Sequence, residues 1–155
     1  MKSRNVHDRT VIQAVLIGLG LLCLSLSPTM AQAGGDPSIV GLWRVHYFAG
    51  GQPAFQSFDQ WHSDGQEFEA ADLGPGVLCQ GTFTQTGNTV HLFHVGWNFD
   101  QNGALTGYFQ EKQTLTVGPN GEHYSGTWVV KNYDTSGNFL NEQTGTLKAT
   151  RLTLH

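Results

Sequence analysis

The chain reads as an all-β protein, an eight-stranded antiparallel up-and-down meander closed into a barrel and preceded by an N-terminal signal peptide. Three observations predict it. Beyond residue 33 no stretch carries a helical period; runs of alternating, β-branched and aromatic residues recur eight times; and short clusters rich in Gly, Asn, Asp and Pro separate each run from the next.

The first 33 residues stand apart from the rest. Lys2, Arg4 and Arg9 make a basic start, an apolar run follows from Val11 to about Leu26, and Ala31-Gln32-Ala33 has the small-x-small form that signal peptidase requires. Gln13 and Ser25 interrupt the run and Pro28 follows it, which separates it from the roughly 20 apolar residues of a spanning helix. The expected organisation is therefore a cleaved signal over residues 1–33 and a single barrel domain over residues 34–155, exported to the periplasm or the medium, with no membrane attachment after cleavage.

Cleavage leaves five basic and eleven acidic residues in the domain, a formal charge of −6 with histidines neutral. Such a surface repels phosphate backbones, so nucleic acid is not an expected partner. Composition does not set the number of copies in an assembly. Only Cys79 remains after cleavage, so the domain has no internal disulfide, and the apolar neighbours Val77, Gly81 and Phe83 on its face mark it as an inert buried thiol.

Strands are predicted over residues 39–49, 54–63, 66–72, 77–86, 89–99, 104–117, 122–134 and 139–152. The separators read GGQP, SDGQ, LGPG, GN, DQNG, GPNG and TSGN. They supply the positive or fixed φ that tight turns need, and none is long enough for a crossover helix, so each strand pairs antiparallel with the next. An even number of such strands lets the first and last pair and removes the exposed edges. Glycine also recurs inside strands two positions before a bulky residue, at Gly41, Gly81, Gly107, Gly126 and Gly145. Because glycine weakens a strand, this placement is expected to relieve curvature at barrel corners while the residue two on fills the interior.

Gly41-x-Trp43 in SIVGLWRVHY and Arg151 in GTLKATRL resemble the calycin arrangement of lipocalins and fatty-acid-binding proteins. The resemblance implies that Trp43 plugs the base of the barrel and that Arg151 packs across it, both as structural residues. FDQWHSDGQEFE and HVGWNFDQNG are also similar to segments of a group of uncharacterised bacterial secreted proteins, a likeness that implies export and no activity.

Strand alternation assigns the interior. In the sixth strand Leu105, Phe109, Glu111, Gln113 and Leu115 share the apolar face; in the seventh Tyr124 and Trp128 lie together; in the eighth Asn141 and Gln143 share a face with Leu147; and in the second Asp59 goes with Trp61. The expected ligand-binding set is Trp61, Phe109, Glu111, Gln113, Tyr124, Trp128, Asn141 and Gln143, a mixture of aromatics and polar groups that suits a solvated cavity holding a small hydrophobic or amphipathic molecule. The alternative is a cofactor-free small-barrel enzyme, an isomerase, cyclase or lyase, with Glu111 as general acid/base, His94 next and Asp59 third. His91 and His94 point to opposite faces; one phase puts His94 inward with Val90, Leu92 and Gly96, the other puts His91 inward with Phe93, Val95 and Trp97. No HExxH, CxxC or same-face histidine pair occurs, so neither a metal site nor a cofactor is expected. In DQWHSDGQEFE, Ser63 to Gln66 is turn chemistry; the pleat is expected to disperse the acidic cluster, with Glu67 and Glu69 on one strand face and His62 and Asp64 at the rim of the barrel mouth.

Overall fold

The computed structural model describes residues 35–73 and 77–153, so the expected signal segment lies outside the described residues. Eight strands follow one another: β1 (Gly41–Ala49), β2 (Gln52–Trp61), β3 (Gln66–Ala71), β4 (Val77–Thr86), β5 (Thr89–Phe99), β6 (Leu105–Val117), β7 (His123–Asp134) and β8 (Phe139–Leu152). Each pairs antiparallel with the next, and β8 returns to pair with β1, Trp43 opposite Arg151, so the sheet closes into a barrel. The meander, the strand count and the closure match the expectation from the sequence.

The turns give the barrel two unlike ends. The β2–β3, β4–β5 and β6–β7 connections lie at one end, and β1–β2, β3–β4, β5–β6 and β7–β8 at the other. Trp43, Ile39, Val117 and Ala149 are buried near the first end, which is closed. Residues 39 and 40 were expected to begin the first strand. They instead cross the base: Ile39 N–H donates to Gln85 Oε1 at 3.0 Å, and the carbonyls of Ser38 and Val40 accept from the Arg151 guanidinium at 2.6 and 2.7 Å. With those groups bonded to side chains, the ladder starts only at Gly41.

Arg151 lies over the Trp43 ring, its Cζ 4.2 Å from the ring centroid, and its Nε donates to Gly121 O at 2.6 Å. Gly41 makes room for it: φ is +140°, and a Cβ there would come within 2.4 Å of Arg151 Nη1. Side-chain access across the inner wall, rather than curvature alone, is what this glycine provides.

At the other end the pairing is irregular. Register shifts fall between Tyr47 and Phe48, between Asn98 and Phe99, and between Asn132 and Tyr133. Bulges bend the strand that carries them and re-aim its side chains, so this end splays open. Phe99, Leu105, Phe139 and Leu140, apolar residues near this rim, are exposed.

Candidate functional site

Alternation along β5 resolves in favour of His94: Val90, Leu92 and His94 are buried, while His91 is exposed. His94 is 1% exposed and stands among three carboxyls from two strands, β3 and β6. Its Nδ1 is 3.2 Å from Glu67 Oε2, and its Nε2 lies 3.2 Å from Glu111 Oε2 and 3.6 Å from Glu69 Oε2. Glu67, Glu69 and Glu111 are each buried.

The register explains this convergence. Glu67 on β3 pairs with Gly81 on β4, Gly81 pairs with His94 on β5, and His94 pairs with Glu111 on β6. Gly81 therefore sits between Glu67 and His94, and a Cβ on it would come within 2.4 Å of the His94 Cβ. With no side chain in between, the Glu67 carboxylate reaches the imidazole across a whole strand. Dispersal of the acidic cluster by the pleat, expected from the sequence, is corrected here: Glu67 and Glu69 do share a face, and that face is the barrel interior.

Other side chains fix the orientation of this group. Gln113 Nε2 donates to Glu111 Oε1 at 2.7 Å and to Tyr47 Oη at 2.9 Å, which leaves Glu111 Oε2 facing His94. Cys79, buried on β4, offers its Sγ within 4.8 Å of both the Glu69 carboxylate and a His94 ring nitrogen. Closer to the base, Asp59 accepts from Ser57 Oγ and, at 2.9 Å, from Tyr124 Oη. The Tyr124 ring in turn meets Trp43 edge-on with centroids 4.7 Å apart.

Burial and mutual repulsion dominate the electrostatics. Asp59 is held well above the usual carboxylate range by burial and by the charges of Glu69 and Glu67, against the hydrogen bonds from Ser57 and Tyr124. Burial raises Glu67 as well, against the hydrogen bond with His94, and it pushes Glu69 up to about 7. For His94 burial works against the imidazolium, yet the adjoining carboxylates of Glu111 and Glu67 and the surrounding negative charge hold it well above its ordinary value. Burial also raises the Cys79 thiol, with the charge of Glu69 next, in keeping with a protonated sulfur.

Above this layer the open end contains a cavity of about 260 Å³. Glu69, Cys79 and Glu111 are part of its lining, Phe55, Phe109, Trp128 and Val130 belong to its walls, and Trp97 and Phe99 stand near its rim. Of the residues expected to bind a ligand, Phe109, Glu111, Trp128 and Gln143 line this cavity. Trp61, Gln113 and Tyr124 are buried elsewhere in the interior, Trp61 against Phe83 and Tyr124. Asn141 and Gln143 were expected inside; both are exposed, Gln143 bordering the cavity and Asn141 accepting from Asn132 Nδ2 at 2.9 Å. Their strand continues beyond the last buried layer, where alternation no longer distinguishes core from solvent.

His62 and Asp64, expected at the mouth, belong to the β2–β3 turn at the closed end; Asp64 accepts from the Gln66 backbone N–H at 3.1 Å as ordinary turn chemistry. Sequence reasoning missed Glu67 and Glu69 as site residues. The available signal was their shared strand parity together with Gly81, whose missing side chain opens the way to His94.

What these features define is a closed antiparallel barrel, plugged at one end by a tryptophan–arginine pair, open at the other, and holding a buried histidine–carboxylate group between. The chain matches no protein-family model, and no curated protein sequence is significantly similar to it.

Proposed function

We propose that this chain is an exported, lipocalin-like barrel that binds a small molecule with an apolar body and a polar end in its open half. The observation that carries the reading is the mouth cavity, with aromatic and aliphatic walls and the carboxyls of Glu69 and Glu111 in its lining. Ligand sites are typically concave, mostly apolar and equipped with a few polar groups that orient the guest, and they run from roughly 300 to 1,000 Å³. At about 260 Å³ this one suits a guest smaller than a typical drug. Arg151 over Trp43 at the closed base supports the lipocalin-like part of the reading, and the N-terminal sequence supports export.

The test is native mass spectrometry of protein purified from the exported fraction of its own host, paired with tryptophan fluorescence. A small-molecule adduct that is released on denaturation, and whose readdition quenches Trp128 or Trp97, is the expected result. Protein that carries no adduct and gives no fluorescence response to a panel of fatty acids, aromatic amines and terpenoids would sink the proposal.

A second reading, an isomerase, cyclase or lyase working through Glu111 or His94, has one observation in its favour: Glu111 opens to the cavity while its carboxylate touches His94. Incubating the recovered molecule with wild-type protein and with the Glu111→Gln variant separates the two. Conversion by wild type alone supports catalysis, and recovery of the molecule unchanged from both supports carriage.

A further inference from the structure

Among the described residues every Lys and Arg side chain is exposed or partly exposed, so no basic side chain lies buried with the interior carboxyls. Glu67, Glu69 and Glu111 therefore share a single imidazole, and Asp59 is buried nearer the base. Burying ionised carboxylates without compensation is costly, and proteins meet that cost with protons, paired cations or metal ions. The arrangement around His94 favours the last of these.

His94 Nε2 has no hydrogen-bond partner although it is fully enclosed, and Glu69 Oε1 has none either. The nitrogen faces two carboxylate oxygens at 3.2 and 3.6 Å without the alignment of a hydrogen bond to either. A charge-assisted N–H···O contact settles at about 2.7–2.9 Å. Donors bound to one zinc-like ion at about 2.1 Å instead stand roughly 3.0–3.6 Å apart at ordinary bond angles. The separation of Nε2 from Glu69 Oε2, 3.6 Å, falls in that second range. We propose that His94 Nε2, Glu69 and Cys79 together hold one divalent first-row transition ion of the zinc class inside the barrel, with Glu111 beside them.

The surroundings are those of a metal site. The far ring nitrogen of His94 is matched to Glu67, which fixes the tautomer that leaves Nε2 free to ligate. Gln113 occupies Glu111 Oε1 and leaves Oε2 beside the His94 ring. Imidazole and thiol select zinc-like ions over calcium or magnesium, which prefer sites made of oxygen donors. Charge is balanced: the Glu69 carboxylate and the Cys79 thiolate neutralise the divalent ion, and ligation by Cys79 releases the thiol proton to solvent. Entry is through the mouth, since Glu69, Cys79 and Glu111 all line the cavity. The inference is independent of any organic guest.

The experiment uses protein purified from expression of the full chain, stripped with a chelator, then titrated with Zn²⁺ and with Co²⁺. The expected result is one metal per chain retained through gel filtration and measured by elemental analysis. Cobalt should give intense visible bands of a tetrahedral site and an ultraviolet thiolate-to-cobalt band, the latter lost in Cys79→Ser. Glu67→Gln should weaken binding about 10- to 100-fold through His94 orientation, and His94→Ala more than that. His91→Ala, on the outer face of the same strand, should bind as wild type. Should His94→Ala fail to fold, Glu69→Gln takes its place with the same expected loss. No retained metal and no cobalt spectrum in wild-type protein that unfolds cooperatively would overturn the proposal, as would equal losses in His91→Ala and His94→Ala.

Discussion

The two ends of this barrel are built from the same kinds of residue put to opposite uses. At the base Trp43 is fully buried, its Nε1 donates to Ile39 O at 2.7 Å, and Arg151 seals it with hydrogen bonds to three backbone carbonyls. Near the mouth Trp97 is 58% exposed, bulges interrupt the pairing, and no comparable plug spans the strands among the described residues. Aromatic side chains stabilise where neighbours surround them and offer a contact surface where they do not. The contrast teaches that one end holds the fold together and the other is left available.

The sharpest way to break that contrast is to make one change at both ends. Trp43→Ala should cost about 3–5 kcal/mol of stability, the usual range for emptying a large aromatic site in a core; urea unfolding measures it. If the loss were small, the base would not be the anchor. Arg151→Met keeps much of the apolar stem but removes the cation over Trp43 and three donors, and should cost about 2 kcal/mol by the same measurement.

Trp97→Ala at the rim should change stability by no more than about 0.5 kcal/mol while weakening binding of any molecule recovered from the cavity. A stability loss there approaching that of Trp43→Ala would erase the difference between the ends.

The smallest effect concerns the turns of the mouth. Asp134 accepts from the Asn138 side chain and from the backbone N–H groups of Ser136 and Asn138, which lowers its carboxyl below the ordinary value of 3.8. A depressed folded-state value means that the contribution is present above the ordinary carboxylate range and fades as pH falls through the folded value. Amide exchange at Ser136 to Asn138 should therefore quicken in acid, and in Asp134→Asn it should already be faster at neutral pH. Exchange that stays level down to the pH of global unfolding would show that the carboxylate does not hold this turn.

Much of the architecture was legible because β-structure is written locally. Turn clusters place hairpins, and alternation places faces; all eight strands begin and end within two residues of their predicted positions, the first yielding Ile39 and Val40 to the base for reasons visible only with Arg151 in place. The candidate site was only half legible. Glu111 and His94 were recognisable as inward candidates, while Glu67 and Glu69 looked like one face of a short hairpin. Asn141 shows the opposite error, since its parity matches the interior but its height puts it beyond the cavity that Gln143 still borders.

By itself, then, the sequence determined the order of eight strands and their antiparallel pairing, because each depends on residues near in sequence or on strand parity; the Trp43–Arg151 pair was an expectation from the calycin resemblance. The tertiary structure alone decided that Glu67 meets His94 across Gly81 and that Glu69, Cys79 and Glu111 gather beside them. Parity tells which face a side chain takes. Which side chains share that face at one height depends on the register of strands wrapped around a closed barrel, and this is settled only when every hairpin and the β1–β8 seam are paired at once.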